Sequence, residues 1–372
     1  MNPVLYHLGQ FPPKNIDWSR LLPLIGPANR AIARYAGLLQ GVQNPNVLLS
    51  PMTVQEAVLS SRIEGTQATM GEVLELEAEG GPHDESTPKR ADIFEVLNYR
   101  AALNEATRLL DELPLSQRLV RRTHHVLMQG VRGRSKDPGE YRRIPNWIGA
   151  DGCTIETARY VPIAADKLPD AMDAWERYAN SEVEDVLIQL AILHAEFEAI
   201  HPFLDGNGRL GRLIVPMYMY SRGLLSKPNF YLSEYLENNR EEYYNRLLSI
   251  SREGDWTSWC LFFLNALISQ AEINQNRAQK IIDLYRDKKD WIVSETHSQY
   301  GVRALDWMFE RPIFKSSDFG SSAGIPLPTA SRILRVVRER GLLREVRTSS
   351  GRRAAILCFP ELLNIAEGRS AF

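Results

Sequence analysis

The chain has 372 residues, 44% of them hydrophobic and 24% charged, with a formal net charge of −2 from 44 basic and 46 acidic side chains. That balance supplies buried cores for two to three domain-equivalents, and it excludes a disordered chain, an acidic tail protein and a uniformly basic nucleic-acid coat. No run approaches the roughly 18 apolar residues of a membrane span, and the opening MNPVLYHLGQFPPK lacks the basic-then-apolar order of a secretory signal, so no membrane association and a cytoplasmic location are expected. Cys153, Cys260 and Cys358 lie too far apart for a disulfide framework or a zinc knuckle.

The patterning predicts a mainly α-helical chain. TVQEAVLSSRIEG (53–65) reads as a helix with Thr53 as N-cap, Glu56 completing a capping box and Gly65 as the stop. Segment 78–90, AEGGPHDESTPKR, reads as a polar loop. Residues 143–162, RIPNWIGADGCTIETARYVP, alternate apolar and polar positions about Asp151-Gly152, which predicts a β-hairpin. VLIQLAILHAEFEAI (186–200) is apolar nearly all round and predicts a central buried helix. A further helix is expected from about Gly208 through Tyr220. REEYYNRLLSIS and SWCLFFLNALISQAEINQNRAQKIIDLYR continue the helical pattern, and the polar stretch around 270–290 is a candidate link between domains.

GVRALDWMFE, SSDFGSSAGI and PTASRILRVVRERG predict three more helices. The last starts at Pro328-Thr329, stops at Gly341 and buries Ile333, Leu334 and Val337. A short strand pair is expected in 343–359, around Ser350-Gly351. Residues 300–353 carry 11 Lys and Arg against 5 Asp and Glu, leaving that segment at +6 and residues 1–299 at −7. A basic module on a mildly acidic body points to nucleic-acid contact.

Chemistry concentrates in His201-Pro202-Phe203-Leu204-Asp205-Gly206-Asn207-Gly208-Arg209-Leu210-Gly211-Arg212. Gly206, Gly208 and Gly211 fit a dinucleotide fingerprint, but that fingerprint needs a preceding strand, and here a helix precedes it. A helix–loop–helix remains. Gly-Asn-Gly can turn successive N–H groups into one concavity through left-handed conformations, and the helix that starts there favours an anion such as phosphate. Arg209 and Arg212, three apart, can fork onto further phosphate oxygens. Asp205 suits Mg²⁺, and His201 is a base near physiological pH. These are parts for phosphoryl or nucleotidyl transfer.

HPFLDGNGRLGR matches the full signature of the Fic (filamentation induced by cAMP) family, and the sequence resembles that family over roughly residues 1–265. PNVLLSPMTVQEAVLSSRIEGTQAT is similar to its N-terminal helical region, GEYRRIPNWIGADG to the segment leading into its hairpin flap, and EEYYNRLLSISREGDW to the helix lining its nucleotide pocket. The resemblance implies a Fic-fold helical core with a β-hairpin flap. It also implies transfer of AMP from ATP to a Ser, Thr or Tyr hydroxyl of a target protein. His201 would deprotonate the hydroxyl and Asp205 would hold Mg²⁺. Gly206, Asn207 and Gly208 would cradle the phosphates, with Leu210 and Gly211 in the same nucleotide-binding run. Arg209 and Arg212 would hold the β- and γ-phosphates. Ile148 and Gly149 would register the target by strand addition, and Tyr243 and Tyr244 would border the adenosine.

Ser60-x-x-x-Glu64-Gly65 matches the family's inhibitory motif. Independently, a carboxylate in the last turn of a helix opposes the helix dipole by roughly 0.3–1 kcal/mol, and a cation would relieve it. The resemblance names Arg212 as that cation, with Ser60 bracing the Glu64 carboxylate from the same face. Pairing would withdraw Arg212 from the γ-phosphate.

The organisation expected is an N-terminal helical region with the inhibitory motif (1–105), a catalytic core (106–265), a helical linker (266–299) and a C-terminal module (300–372). The module's order looks like a winged helix-turn-helix with Thr329–Arg340 as its recognition-like helix, and with Arg352 and Arg353 on the wing. DNA contact through 300–353 and protein docking both fit it. A DNA-binding regulator with a secondary core, a different nucleotide donor, AMP removal by Glu64 and a homodimer stay open.

Overall fold

Helices carry most of the chain, as the patterning predicts. The computed structural model describes residues 2–42, 44–80, 87–130, 135–350 and 353–372, with the backbone alone at 45 and 46. In chain order the elements begin with β1 (Val4–Leu5), α1 (Trp18–Gln40), α2 (Pro45–Leu48), α3 (Ser50–Ile63), α4 (Met70–Glu79), α5 (Pro88–Leu110), α6 (Gln117–Leu127) and β2 (Tyr160–Val161). The central helices are α7 (Leu168–Ala179), α8 (Val186–Ile200), α9 (Asn207–Ser221), α10 (Ser233–Asn238), α11 (Arg240–Glu253) and α12 (Trp256–Thr296). The last elements are α13 (Gly301–Glu310), β3 (Ile313–Lys315), α14 (Asp318–Ala323), α15 (Leu327–Glu339), β4 (Arg344–Arg347), β5 (Ile356–Cys358) and α16 (Pro360–Glu367). Among the described residues no helix is long and apolar enough to cross a membrane.

The chain forms two compact units, one of residues 1–36, 59–66 and 97–272, the other of 37–58, 67–96 and 273–372. In the first unit α8 is the hub, as its all-round apolar sequence requires. It is capped by Asp185, whose carboxylate accepts from the backbone of Leu187 and Ile188, and it packs against α7 and α9. Fully buried Trp175 and Trp259 each donate an indole N–H to an α8 carbonyl, Leu193 at 3.0 Å and Ala191 at 2.8 Å. Gln189 ties three helices. Its amide donates to the Tyr178 carbonyl, and its oxygen accepts from the Tyr218 hydroxyl and from Arg222 at 2.8 Å.

Several expectations change in detail. Thr53 is no N-cap: α3 starts at Ser50, and the Thr53 hydroxyl donates back to Leu49 O at 3.5 Å. The capping box stands at the next Thr-x-x-Glu, where Thr69 and Glu72 bond reciprocally to start α4. The loop expected at 78–90 is narrower, since α4 runs to Glu79 and α5 begins at Pro88; residues 81–86 lie outside the described residues. The hairpin of 143–162 closes on a single antiparallel bridge, Ile148 to Tyr160, because turns fill the stretch between its arms. The return arm is backed by a strand the sequence did not reveal, Val4–Leu5, which pairs parallel with Tyr160–Val161. The polar stretch at 270–290 is helical as expected, inside one continuous helix of 41 residues.

In the second unit β3, β5 and β4 form an antiparallel sheet in that order, joined by α13, α14 and α15. The third helix starts slightly earlier than expected, at Leu327, and buries Ile333, Leu334 and Val337 as its spacing predicts. Strand β3 and helix α16 were not foreseen. Lys315 of β3 donates to the Glu79 carbonyl, and Arg347 of β4 pairs with the Glu79 carboxylate. The turn residue Gly351 and the wing residue Arg352 lie outside the described residues, while Arg353 is exposed.

Replacing Gln189 by Leu keeps the volume but removes the acceptor of the buried Tyr218 hydroxyl and the donor to the Tyr178 carbonyl, while Arg222 keeps the Ala179 and Ser181 carbonyls. We expect a loss of about 2–4 kcal/mol. Thermal unfolding of the variant checks this, with a Tm several degrees below that of the parent protein as the expected outcome.

Candidate active site

The site is built at the C-terminus of α8. His201 caps that helix in the left-handed region, φ 50°, which turns the chain sharply out of the helix axis. A non-glycine residue there is held by its surroundings. Buried Arg142 supplies the hold. Its guanidinium donates to the His201 carbonyl at 2.9 Å, to Ile200 at 3.3 Å, to Ile144 at 3.3 Å and to Ile163, and its own N–H donates to Pro202 at 2.9 Å. The orphan carbonyls of a helix end thereby meet a cation, which the helix dipole favours.

The loop that follows is braced from within. The Asn207 side chain accepts from Phe203 N and donates to Phe203 O, both at 2.9 Å. The His124 ring stacks on Phe203 with centroids 3.7 Å apart. His124 Nδ1 accepts from Gly139 N at 2.9 Å, so Nε2 carries the proton and donates to the Asp205 carbonyl at 3.0 Å. Gly206 takes φ 76° and starts α9, and a Cβ on it would sit 2.6 Å from Met128 Sδ. Of the Gly-Asn-Gly run only Gly206 is left-handed, because Asn207 and Gly208 already belong to the helix.

A cavity of about 610 Å³ opens against these elements. Of the expected residues, Glu64, Ile148, Gly149, His201, Gly208, Arg212 and Tyr244 line it. Tyr243 is instead fully buried, its hydroxyl 2.8 Å from His194 Nε2. Leu210 is core, and Asn207 serves the loop. Arg209 is buried beside Met128, 3.8 Å from the Asp205 carboxylate and away from the cavity lining. Asp205 stands at the loop's edge with its side chain 42% exposed, and Gly211 supports the Glu198 carboxyl.

Arg212 is almost fully buried and spends its donors on one segment. It donates to the Ser60 hydroxyl and the Ser60 carbonyl, each at 2.8 Å, and pairs with Glu64 at 2.7 Å. Ser60 therefore braces the guanidinium rather than the carboxylate. Glu64 lies one residue past the end of α3, and Arg212 caps that helix end through the Ser60 carbonyl. Burial raises the Glu64 carboxyl, but the Arg212 charge and hydrogen bond outweigh it and leave its pKa lowered.

His201 Nδ1 lies 3.3 Å from the Glu198 carbonyl, an acceptor only, so Nδ1 carries the proton and Nε2 keeps its lone pair. Burial lowers this imidazole to about 4, which keeps it neutral near pH 7. On the flap, a Cβ at Gly149 would meet Cys153 Sγ at 2.6 Å, and Trp147 donates its indole N–H to Cys153 O at 2.9 Å. Sequence reasoning missed Arg142, His124, Glu198 and Arg240. Arg240 lines the cavity 5.9 Å over the Tyr244 ring. Only Arg240, on the helix already expected to border the nucleotide, had a signal that could have found it.

Comparison with known proteins bears on the family and the fold. Residues 22–108 match the Fic/DOC family N-terminal model and residues 114–219 match the Fic/DOC family model, together more than half of the chain. A protein adenylyltransferase Fic of Drosophila yakuba is 26% identical over 164 residues, 43% of this chain and 27% of that protein. The chain thus spans about a quarter of the length of that relative. A probable protein adenylyltransferase of Aquifex aeolicus is 45% identical over 47 residues, 13% of this chain and 15% of the relative. Among solved structures, a Fic family protein from Desulfovibrio desulfuricans G20 aligns with TM-score 0.59 and 20% identity over 94% of this chain and 98% of its own. A Fic domain containing signaling protein from Bacteroides thetaiotaomicron aligns with TM-score 0.56 and 20% identity over 69% of this chain and 97% of its own. These structures share the fold.

The titrating groups make stability depend on pH. Burial lowers His124 and His201 from 6.5 to about 4 and His194 to about 3. Below about pH 6.5 the unfolded chain takes up protons that the folded chain refuses, so this stability is lost between about 6.5 and 4 as pH falls. Glu198, raised by burial from 4.5 to about 7, acts oppositely, giving stability that is present below 4.5 and lost as pH rises through 7. Three groups outweigh one. Calorimetry should find a lower Tm at about pH 5 than at about pH 7, and an equal or higher Tm at the acid value would contradict this assignment.

Proposed function

The chain belongs to the Fic/DOC family, and on that premise we propose that it is a protein adenylyltransferase restrained by Glu64. The observation that carries the reading is the meeting of His201, Gly208, Arg212 and Glu64 around one cavity. The target hydroxyl oxygen attacks the α-phosphorus of ATP. A new P–O bond forms, the bond from that phosphorus to the β-bridging oxygen breaks, and pyrophosphate leaves. His201 Nε2 takes the hydroxyl proton. Its low basicity suits a late transfer, when bonding to phosphorus has made the hydroxyl acidic.

The α9 N-terminus supplies N–H groups and a dipole for the phosphates. Among the described residues no cluster of three or more His, Cys, Asp or Glu could hold a metal. Asp205, half exposed at the loop's edge, fits a Mg²⁺ that takes its other ligands from phosphates and water. When bound there the ion neutralises phosphate charge. Gly149 would offer backbone for a target strand, while the Ile148 N–H and carbonyl are taken up by the bridge to Tyr160 and Arg159. Glu64 occupies Arg212 and stands over Gly208, where a terminal phosphate would come.

Wild-type, Glu64→Gly and His201→Ala proteins, incubated with ATP and Mg²⁺ and weighed intact, test this reading. We expect added AMP on the Glu64 variant alone, and label carried from α-labelled but not γ-labelled ATP. Label arriving from γ-labelled ATP alone overturns it.

A second reading concerns the C-terminal module, for which we propose a winged helix-turn-helix that contacts DNA. The charge of +6 over 300–353 and the order α13, β3, α14, α15, β4, β5 support it. Four of its arginines already serve the fold: Arg332 donates to the Thr296 carbonyl, Arg338 pairs with Glu345, Arg340 with Glu295 and Arg347 with Glu79. Binding would rest on exposed residues such as Arg335 and Arg353. A mobility shift on duplex DNA that weakens steeply with salt is expected, and no shift at low salt refutes it.

A further inference from the structure

Glu198 lines the cavity one helical turn before His201, and nothing in the reaction above uses it. Its Oε1 is buried with no hydrogen-bond partner, lying where a Cβ of Gly211 would stand. Glycine at 211 is what admits the carboxyl. Arg212 is the cation that acts on it, but its donors go to Ser60 and Glu64, and Glu198 makes no ion pair among the described residues. An ionised carboxylate held like this would lose its hydration and gain no donor. The protonated acid needs far less, and it has one O–H to give.

Resting on the adenylyltransferase reading, we propose that Glu198 is a nucleotide-binding group that donates a hydrogen bond from its protonated carboxyl to an acceptor oxygen of the bound nucleotide. Burial, reinforced by Glu64 and opposed by Arg212, lifts this carboxyl to about 7, so the donor form is available near neutrality. The facing groups agree. On α11, Tyr243 and Tyr244 have raised pKa values and stay neutral, and Arg240 lies at the cavity wall. His201, at the end of the same helix, is neutral, and Arg159 lines the flap side. A triphosphate arriving beside Arg212 adds negative charge and holds the Glu198 proton more firmly. A second ionised carboxylate would instead repel it.

The test uses the full chain carrying Glu64→Gly as parent, titrated calorimetrically with α,β-methylene-ATP and Mg²⁺, an analogue whose scissile bridge cannot break. Adding Glu198→Ala should weaken binding about tenfold or more. Adding Glu198→Gln, which keeps an N–H donor, should hold the affinity near the parent's at about pH 6. Between about pH 6 and pH 8.5 the parent should weaken about tenfold relative to the Gln variant, which also controls for titration of the analogue. An Ala variant that binds as tightly as the parent overturns the proposal. So does a Gln variant that follows the parent's pH dependence, and this arm stands even if the Ala variant fails to fold. A parent that does not bind the analogue brings down the adenylyltransferase reading as well, so the two failures are distinguishable.

Discussion

The end of α8 is the constraint on which the rest depends. A buried helix must place its final carbonyls somewhere, and here one guanidinium gathers them. Arg142 bonds Ile200 and His201 at the helix end and Ile144 and Ile163 on the two arms of the flap. Satisfying the backbone of a core helix and locating the flap are therefore the same interaction. The left-handed turn at His201 follows, because the chain must leave the helix where Arg142 holds its carbonyl. From that turn come the direction of the imidazole and the start of α9.

Charge in the cavity is arranged by proximity more than by number. Arg212 carries its positive charge into the interior, where it lowers the pKa of one carboxylate by pairing with it and acts on a second whose pKa burial raises. Glu64 takes the ion pair, and Glu198, unpaired and buried, is raised to about 7. Two acids near one base need different states when only one can reach it. The buried imidazoles obey the same rule. Each of His124, His194 and His201 has an acceptor or donor that selects its tautomer, and burial outweighs the carboxylates of Asp205 near His124 and of Glu64 near His201.

Local pattern was readable where burial is uniform or periodic. The all-round apolar run over 186–200, the helix after Gly206 and the buried Ile333, Leu334 and Val337 were visible for that reason. Thr-x-x-Glu occurs at both 53 and 69, and nothing local separates a true cap from a helix interior; Ser50 and Pro51 had already begun α3. Tyr243 and Tyr244 are adjacent, so on a helix they point about 100° apart, and only one can reach the cavity. Arg142 and the strand Val4–Leu5 act across long sequence separations, where periodicity carries no information. Glu198 looked like an ordinary polar residue of a helix, and only its packing on Gly211 reveals it.

The space left by the missing side chain at Gly208 is shared property. A Cβ there would overlap Glu64 Oε1, and on the proposed function the same opening would let a phosphate approach the start of α9. Restraint and substrate would then depend on one absent methyl group. A larger residue at 208 would crowd both, displacing the Glu64 carboxylate from its place and narrowing the approach to α9. On that reading, adjustment of the restraint would fall to position 64 and its neighbours, on a separate stretch of chain that can change while the loop after α8 stays as it is.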